Sequence, residues 1–387
     1  MGTANRGEAD LVDVRSFIGE VYGADLHVKR IESLAGATLG VMQGASLAVA
    51  MIGHALAQAR GLVTKHAVKQ VDRLLSNGGI DVWETFARWV PHQIGERRDI
   101  LVAMDWTDFD HDDQATLVLS LVTGHGRAAP LLWISVWKDE LKKQRNDFED
   151  ACLRRLAELI PSGCRVTILA DRGFGDQKLF AFLGELGFGY VIRFRGNIHV
   201  TAADGETRPA AEWVGKGGRA RKLRDARVTT KGQQVGAVVC VHAKNMKEPW
   251  CLATSERDVP AETLIHHYGR RWTIEPQFRD TKDLRFGMGL SSTRIAEPMR
   301  RDRLLLISAF ATALLTLLGA VGESLGMDRL LKANTSKKRT HSLFRQGCML
   351  YDLIPNMPEH RLRPLMEKFA EALAKTGMFM TAIPASK

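Results

Sequence analysis

Residues 304–322 read LLLISAFATALLTLLGAVG, 19 positions without a charge. A run like that either spans a bilayer or lies in the core of a sizeable protein. It is just long enough to cross the hydrocarbon layer. Small and polar residues interrupt it (Ser308, Ala309, Thr312, Ala313, Thr316), and the chain has no second such run. A buried core helix is therefore expected, and no membrane partner. With 387 residues the chain can supply that core and form two or three domains. Hydrophobic residues at 45% and charged residues at 25% exclude collagen, coiled coil and wholesale disorder.

Lys and Arg number 54 against 44 Asp and Glu, a formal charge of +10. That excess favours a polyanionic partner, nucleic acid before a membrane surface. The five cysteines (Cys152, Cys164, Cys240, Cys251, Cys348) are odd in number and form no C-x-x-C pair. A disulfide framework or thiolate zinc site is not expected, and a reducing cytoplasm is. The opening MGTANRGEADLVDV carries acids and no early apolar stretch, unlike a secretory signal.

Along the chain the texture divides into five. Residues 1–96 read as a helical domain. Within it Gly61 separates two apolar-periodic stretches, and Thr64 is placed to cap a helix reaching residue 74. The pair is compatible with a helix-turn-helix whose second helix offers Lys65, Lys69 and Arg73 to DNA, beside His66 and Gln70. An amphipathic helix pair with a solvated basic face fits equally. Residues 97–195 carry strand-like runs at 100–104, 114–123, 130–137, 165–170 and 188–194, with helices over 146–160 and 176–186. The first three runs predict an antiparallel meander and the rest a mixed α/β sheet. Residues 196–249 read as a β-rich insertion, with eight basic residues and two acids between Arg208 and Lys231. A strand resumes at 250–254 and helices dominate from Ala261, so that 250–322 reads as the second part of the core and 323–387 as a helical C-terminal region.

Two aspartates close apolar runs: Asp105 in AMDWTDFD and Asp171 in ILADRGFGD. Open α/β sheets place functional groups at strand ends, although each residue alone also suits a turn. The stretch HHYGRRWTIEPQFRDTKD then sets Tyr268, Arg271, Glu275 and Lys282 at i, i+3, i+7 and i+14. At about 100° per residue an ideal helix collects all four within an arc of about 60°. Pro276 complicates this, since a proline inside a helix kinks it. His266 and His267 point about 100° apart on a helix and are poor co-ligands.

The pattern Y-x2-R-x3-E-x6-K, following a strand-end Asp in D-x-T and a second in DRGF, resembles the DDE transposases of bacterial insertion sequences. Within them it resembles the family numbered four, which carries this tetrad as its signature. The resemblance covers about residues 97–322. It implies a ribonuclease-H-like mixed sheet with a β-rich module inserted before the catalytic glutamate; 103 residues separate Asp171 from Glu275. It implies Asp105, Asp171 and Glu275 as catalytic metal ligands for two Mg2+ ions, with Mn2+ as a substitute. Phosphodiester transfer needs such a pair of ions to clamp the attacking and leaving oxygens. Arg271, Lys282 and Tyr268 would grip phosphate near the cut, and Trp213 in the insertion would stack on a displaced base. Trp272 lies off the Glu275 face and is expected to pack inward. Asp108 is expected in a loop beside the site.

The function implied is cut-and-paste transposition in the bacterial cytoplasm, nucleoid-associated. A homodimer would act on double-stranded transposon ends and target. A ribonuclease-H-like nuclease without strand transfer and a DNA-binding relic remain as alternatives. A glycosidase, which also uses paired acids, suits the basic charge poorly.

Overall fold

The computed structural model describes residues 14–374. The expectation about a secretory signal falls mainly on residues outside that range. Five helices come first: α1 (residues 14–22), α2 (Val28–Gly44), α3 (Val49–Arg60), α4 (Thr64–Leu75) and α5 (Val82–Ile94). α2 and α3 meet at 95°. The N-cap of α4 is Val63 and not Thr64, and no side chain makes a capping bond there. The helix is held by its buried stripe Ala67, Val71, Leu74 and Leu75, and packing of that kind outweighs a missing cap.

The expected meander is present. β1 (Asp99–Phe109), β2 (Gln114–Val122) and β3 (Ala128–Trp137) pair antiparallel. α6 (Leu141–Leu159) leads to β4 (Arg165–Ala170), and α7 (Gln177–Glu185) to β5 (Gly189–Phe194). Both strands run parallel to β1. The next stretch holds β6 (His199–Thr201), β7 (Thr207–Pro209), β8 (Arg221–Arg224), β9 (Arg227–Val228), β10 (Gln233–Gln234) and β11 (Ala237–Val241), and is followed by β12 (Trp250–Thr254). The large sheet has the order β3-β2-β1-β4-β5-β12-β11-β8, and a four-stranded sheet has the order β10-β9-β6-β7. The mixed α/β class and the ribonuclease-H-like sheet expected above are what the chain adopts. The insertion differs from expectation in one respect: β8 and β11 leave it to extend the large sheet beyond β12.

β1 also departs from the sequence reading. Asp105 is not at its end. The strand continues through Asp108 to Phe109, because β2 supplies partners as far as Phe109↔Gln114. Long-range pairing carries the polar half of the strand, where local hydrophobicity stops. Side chains alternate across it. Ala103 packs beneath α8 (Ala261–Arg270), and Asp105 and Thr107 point the same way. Trp106 points to α6.

The uncharged run forms the middle of α10 (Pro298–Ser324), and 78% of its most apolar window is buried. It packs on β3, α2 and α11 (Leu343–Leu353), with α12 (Glu359–Ala374) behind. α10 and α11 approach through two glycines. A Cβ on Gly319 would overlap the Leu343 carbonyl, and one on Gly347 would overlap that of Leu315. At its start, α10 ties the N-terminal helices down. Arg303 donates to the carbonyls of Leu75 and Ile80, each at 2.9 Å, and Arg300 donates to Asp72 at 2.6 Å. Fully buried Arg301 pairs with Asp112, bonds Gln114 at 2.8 Å and lies over the Phe109 ring at 3.7 Å.

Candidate active site

The last parallel pair between β1 and β4 is Met104↔Ala170. Asp105 and Asp171 come next, the first within β1 and the second just past the end of β4, on adjacent strands about 4.8 Å apart. Beyond that point β4 ends, and Asp171 accepts from Gly173 N at 2.7 Å to close a short 3-10 turn. Asp105 stays in its strand and accepts from Trp106 N at 2.9 Å.

The third element is a broken helix. α8 stops at Arg270, residues Arg271–Thr273 form a 3-10 turn, and α9 (Ile274–Lys282) follows. The break resolves the proline. Pro276 falls in the first turn of α9, where a helix N–H has no partner to lose. Arg271 and Lys282 still face β1. Arg271 is buried and donates to Asp105 Oδ2 at 3.1 Å, while its other terminal nitrogen lies 3.6 Å from Glu275 Oε1. Lys282 donates to Thr107 Oγ1 at 3.0 Å and to the Asp108 carbonyl at 2.6 Å. Glu275 remains about half exposed, its side chain at 48%. α9 is pinned at its far side by Arg127, whose Nε lies 2.6 Å from Asp280 Oδ2.

Electrostatics tie the three acids together. The Asp105 carboxyl is pushed up to about 6, first by burial; Arg271 opposes the rise, and the negative charges of Asp171 and Glu275 add to it. The Lys282 ammonium is shifted down by burial, against the pull of Asp108 and Asp110. No three of His, Cys, Asp and Glu among the described residues stand close enough to close on one ion. The donor chemistry nonetheless suits a hard divalent cation: the carboxylates of Asp105, Asp171 and Glu275 repel one another, with Arg271 as the counter-charge of Asp105.

Several expected residues lie elsewhere. Tyr268, expected at a phosphate, is 1% exposed; its ring meets Trp250 edge-on at 4.8 Å and its phenol is partnered by Arg271. Trp213, expected to stack on a base, is also 1% exposed. It lies between the Arg208 and Arg221 guanidiniums at 4.2 and 4.9 Å and donates to the Val200 carbonyl. The small sheet has little else to bury, so its tryptophan becomes its core. Trp272, expected to pack inward, is 46% exposed, since the 3-10 break turns it out of the helical register. Asp108 lies in β1 and not in a loop. Lys65, Lys69 and Arg73 are exposed along α4, a separate element from those that carry the acids. Thr107 is not among the expected residues, yet it receives the Lys282 bond. Strand alternation in D-x-T places it on the Asp105 face, a signal open to a reader of the sequence.

Residues 135–312 match the family model of the transposase DDE domain. The match supports a DDE transposase. It covers just under half of the chain and includes Asp171, Arg271, Glu275 and Lys282, and it begins after Asp105. No curated protein matches the chain.

Proposed function

We propose that the protein is a cut-and-paste transposase of the insertion-sequence family numbered four. It would cut at the terminal inverted repeats of its own element and join the freed ends to target DNA. The observation that carries this reading is the docking of the broken helix on β1, which brings Arg271 to both Asp105 and Glu275.

Asp105, Asp171 and Glu275 would hold Mg2+, and Mn2+ in its place. Bound there, two such ions would polarise the scissile phosphate and activate the attacking oxygen. In the protein without DNA, Arg271 offsets the charge of Asp105 and Glu275. With DNA present, Arg271 and Lys282 would turn their donors to phosphate oxygens beside the cut. Tyr268 supports Arg271 from beneath. Lys65, Lys69 and Arg73 would bind the duplex from α4, and a homodimer would pair two ends. A bacterial cytoplasm, at the nucleoid, is the setting that fits.

Alanine at Asp105, Asp171 or Glu275 is expected to abolish Mg2+-dependent cutting of a duplex carrying the repeats that flank the coding region, with end binding retained in a mobility-shift assay. Normal cutting by any one of the three variants refutes the ligand assignment. Nicks without joined products would identify a nuclease instead.

A further inference from the structure

Behind the sheet, on the face opposite Arg271, one small cluster touches both aspartate-bearing segments. The Trp106 indole donates to Glu149 Oε1 at 2.8 Å. Arg145, one turn earlier on α6, donates to the same oxygen at 3.1 Å. The Arg145 guanidinium lies 5.5 Å from the Trp106 ring centroid and 5.7 Å from that of Phe174. Both separations are within cation–π range. Trp106 is the residue after Asp105, and its backbone N–H binds the Asp105 carboxylate. Phe174 ends the 3-10 turn that Asp171 opens and is buried; its N–H bonds the Asp171 carbonyl at 3.1 Å.

We propose that Arg145 and Glu149 are positioning residues that set the separation of Asp105 and Asp171. The inference rests on the reading of those aspartates as metal-holding groups. β4 stops at Ala170, so Asp171 has no register partner on β1. The bracket on α6 adds a constraint from the other face of the sheet. Glu149 anchors the indole, and Arg145 joins that indole to the turn after Asp171. Glu149 is well suited to this: its side chain is only 8% exposed, and one oxygen accepts from both the indole and the guanidinium. Groups that orient metal-holding side chains in this way affect metal affinity without touching the ion.

The test measures Mn2+ uptake by the full chain without DNA, using electron paramagnetic resonance. It also measures the Mg2+ concentration for half-maximal cutting of the repeat-bearing duplex. Arg145→Ala is expected to weaken Mn2+ binding and raise the Mg2+ requirement about 10-fold, at unchanged thermal midpoint and end binding. Arg145→Lys, which keeps the ion pair to Glu149, should recover most of the loss. Glu149→Gln keeps an acceptor for the indole but loses the ion pair, and should fall between. Should Arg145→Ala fail to fold, Glu149→Gln decides. Folded variants with wild-type Mn2+ affinity and Mg2+ requirement overturn the proposal. Asp105→Ala is the control for the underlying reading: if it takes up Mn2+ as the wild type does, the site assignment itself is wrong.

Discussion

His125 illustrates how a single side chain sets a pH limit. It is buried near the turn between β2 and β3, and burial, reinforced by Arg339 and Arg127, holds it down to about 4. In the unfolded chain it titrates near 6.5. The folded state therefore binds fewer protons between those values. The associated stability is fully present above about pH 6.5 and is lost as pH falls toward 4, by up to about 1.4 kcal/mol per pH unit. His125→Phe should flatten that part of the profile. Urea unfolding at pH 7 and pH 5 measures it, and an undiminished acid loss in the variant would show that other groups are responsible. The same scale shows why residue type alone does not place a side chain: both Trp213 and Tyr268 are buried. Trp213 and Tyr268 are residue types that bind DNA when exposed, and burial is not a property of residue type.

Elements are held together here by a few close approaches without slack. The α10–α11 crossing depends on Gly319 and Gly347, each of which receives a carbonyl of the other helix where a Cβ would sit. Gly347→Ala should force the helices apart and cost about 1–3 kcal/mol or more, seen as a lower thermal midpoint; an unshifted midpoint would mean that the helices separate freely. That close packing is how an uncharged helix of bilayer length becomes a protein core. Its burial was legible from the small residues inside the run, but its partners were not. The tetrad spacing was likewise legible. The 3-10 break at Arg271–Thr273, which accommodates Pro276 and exposes Trp272, was not.

Across the whole molecule, a chain of arginine contacts through α10 connects α4 to the strand that carries Asp105. α4 carries Lys65, Lys69 and Arg73 on an exposed face, and Arg300 and Arg303 lock its C-terminal end to α10. α10 in turn reaches the β1–β2 turn through Arg301. A helix bound to DNA would thus be connected through α10 to the strand that carries Asp105. Replacing all three basic residues of α4 by alanine should weaken end binding. It should also reduce the log–log salt slope by about 0.9 for each phosphate that is no longer neutralised, while Mn2+ uptake stays unchanged. An unaltered slope would remove α4 from the DNA interface.

The strands at 165–170 and 250–254 match β4 and β12 residue for residue, and Arg271 of the tetrad lies beside both Asp105 and Glu275. Those features follow from local pattern: short apolar runs with sharp ends and a helical repeat. The extension of β1 past Asp105, the passage of β8 and β11 into the large sheet, and the bracket of Arg145 and Glu149 on Trp106 and Phe174 came only from the tertiary structure. Each depends on a partner far away in the chain, and the energy of pairing or burial with that partner outweighs local preference.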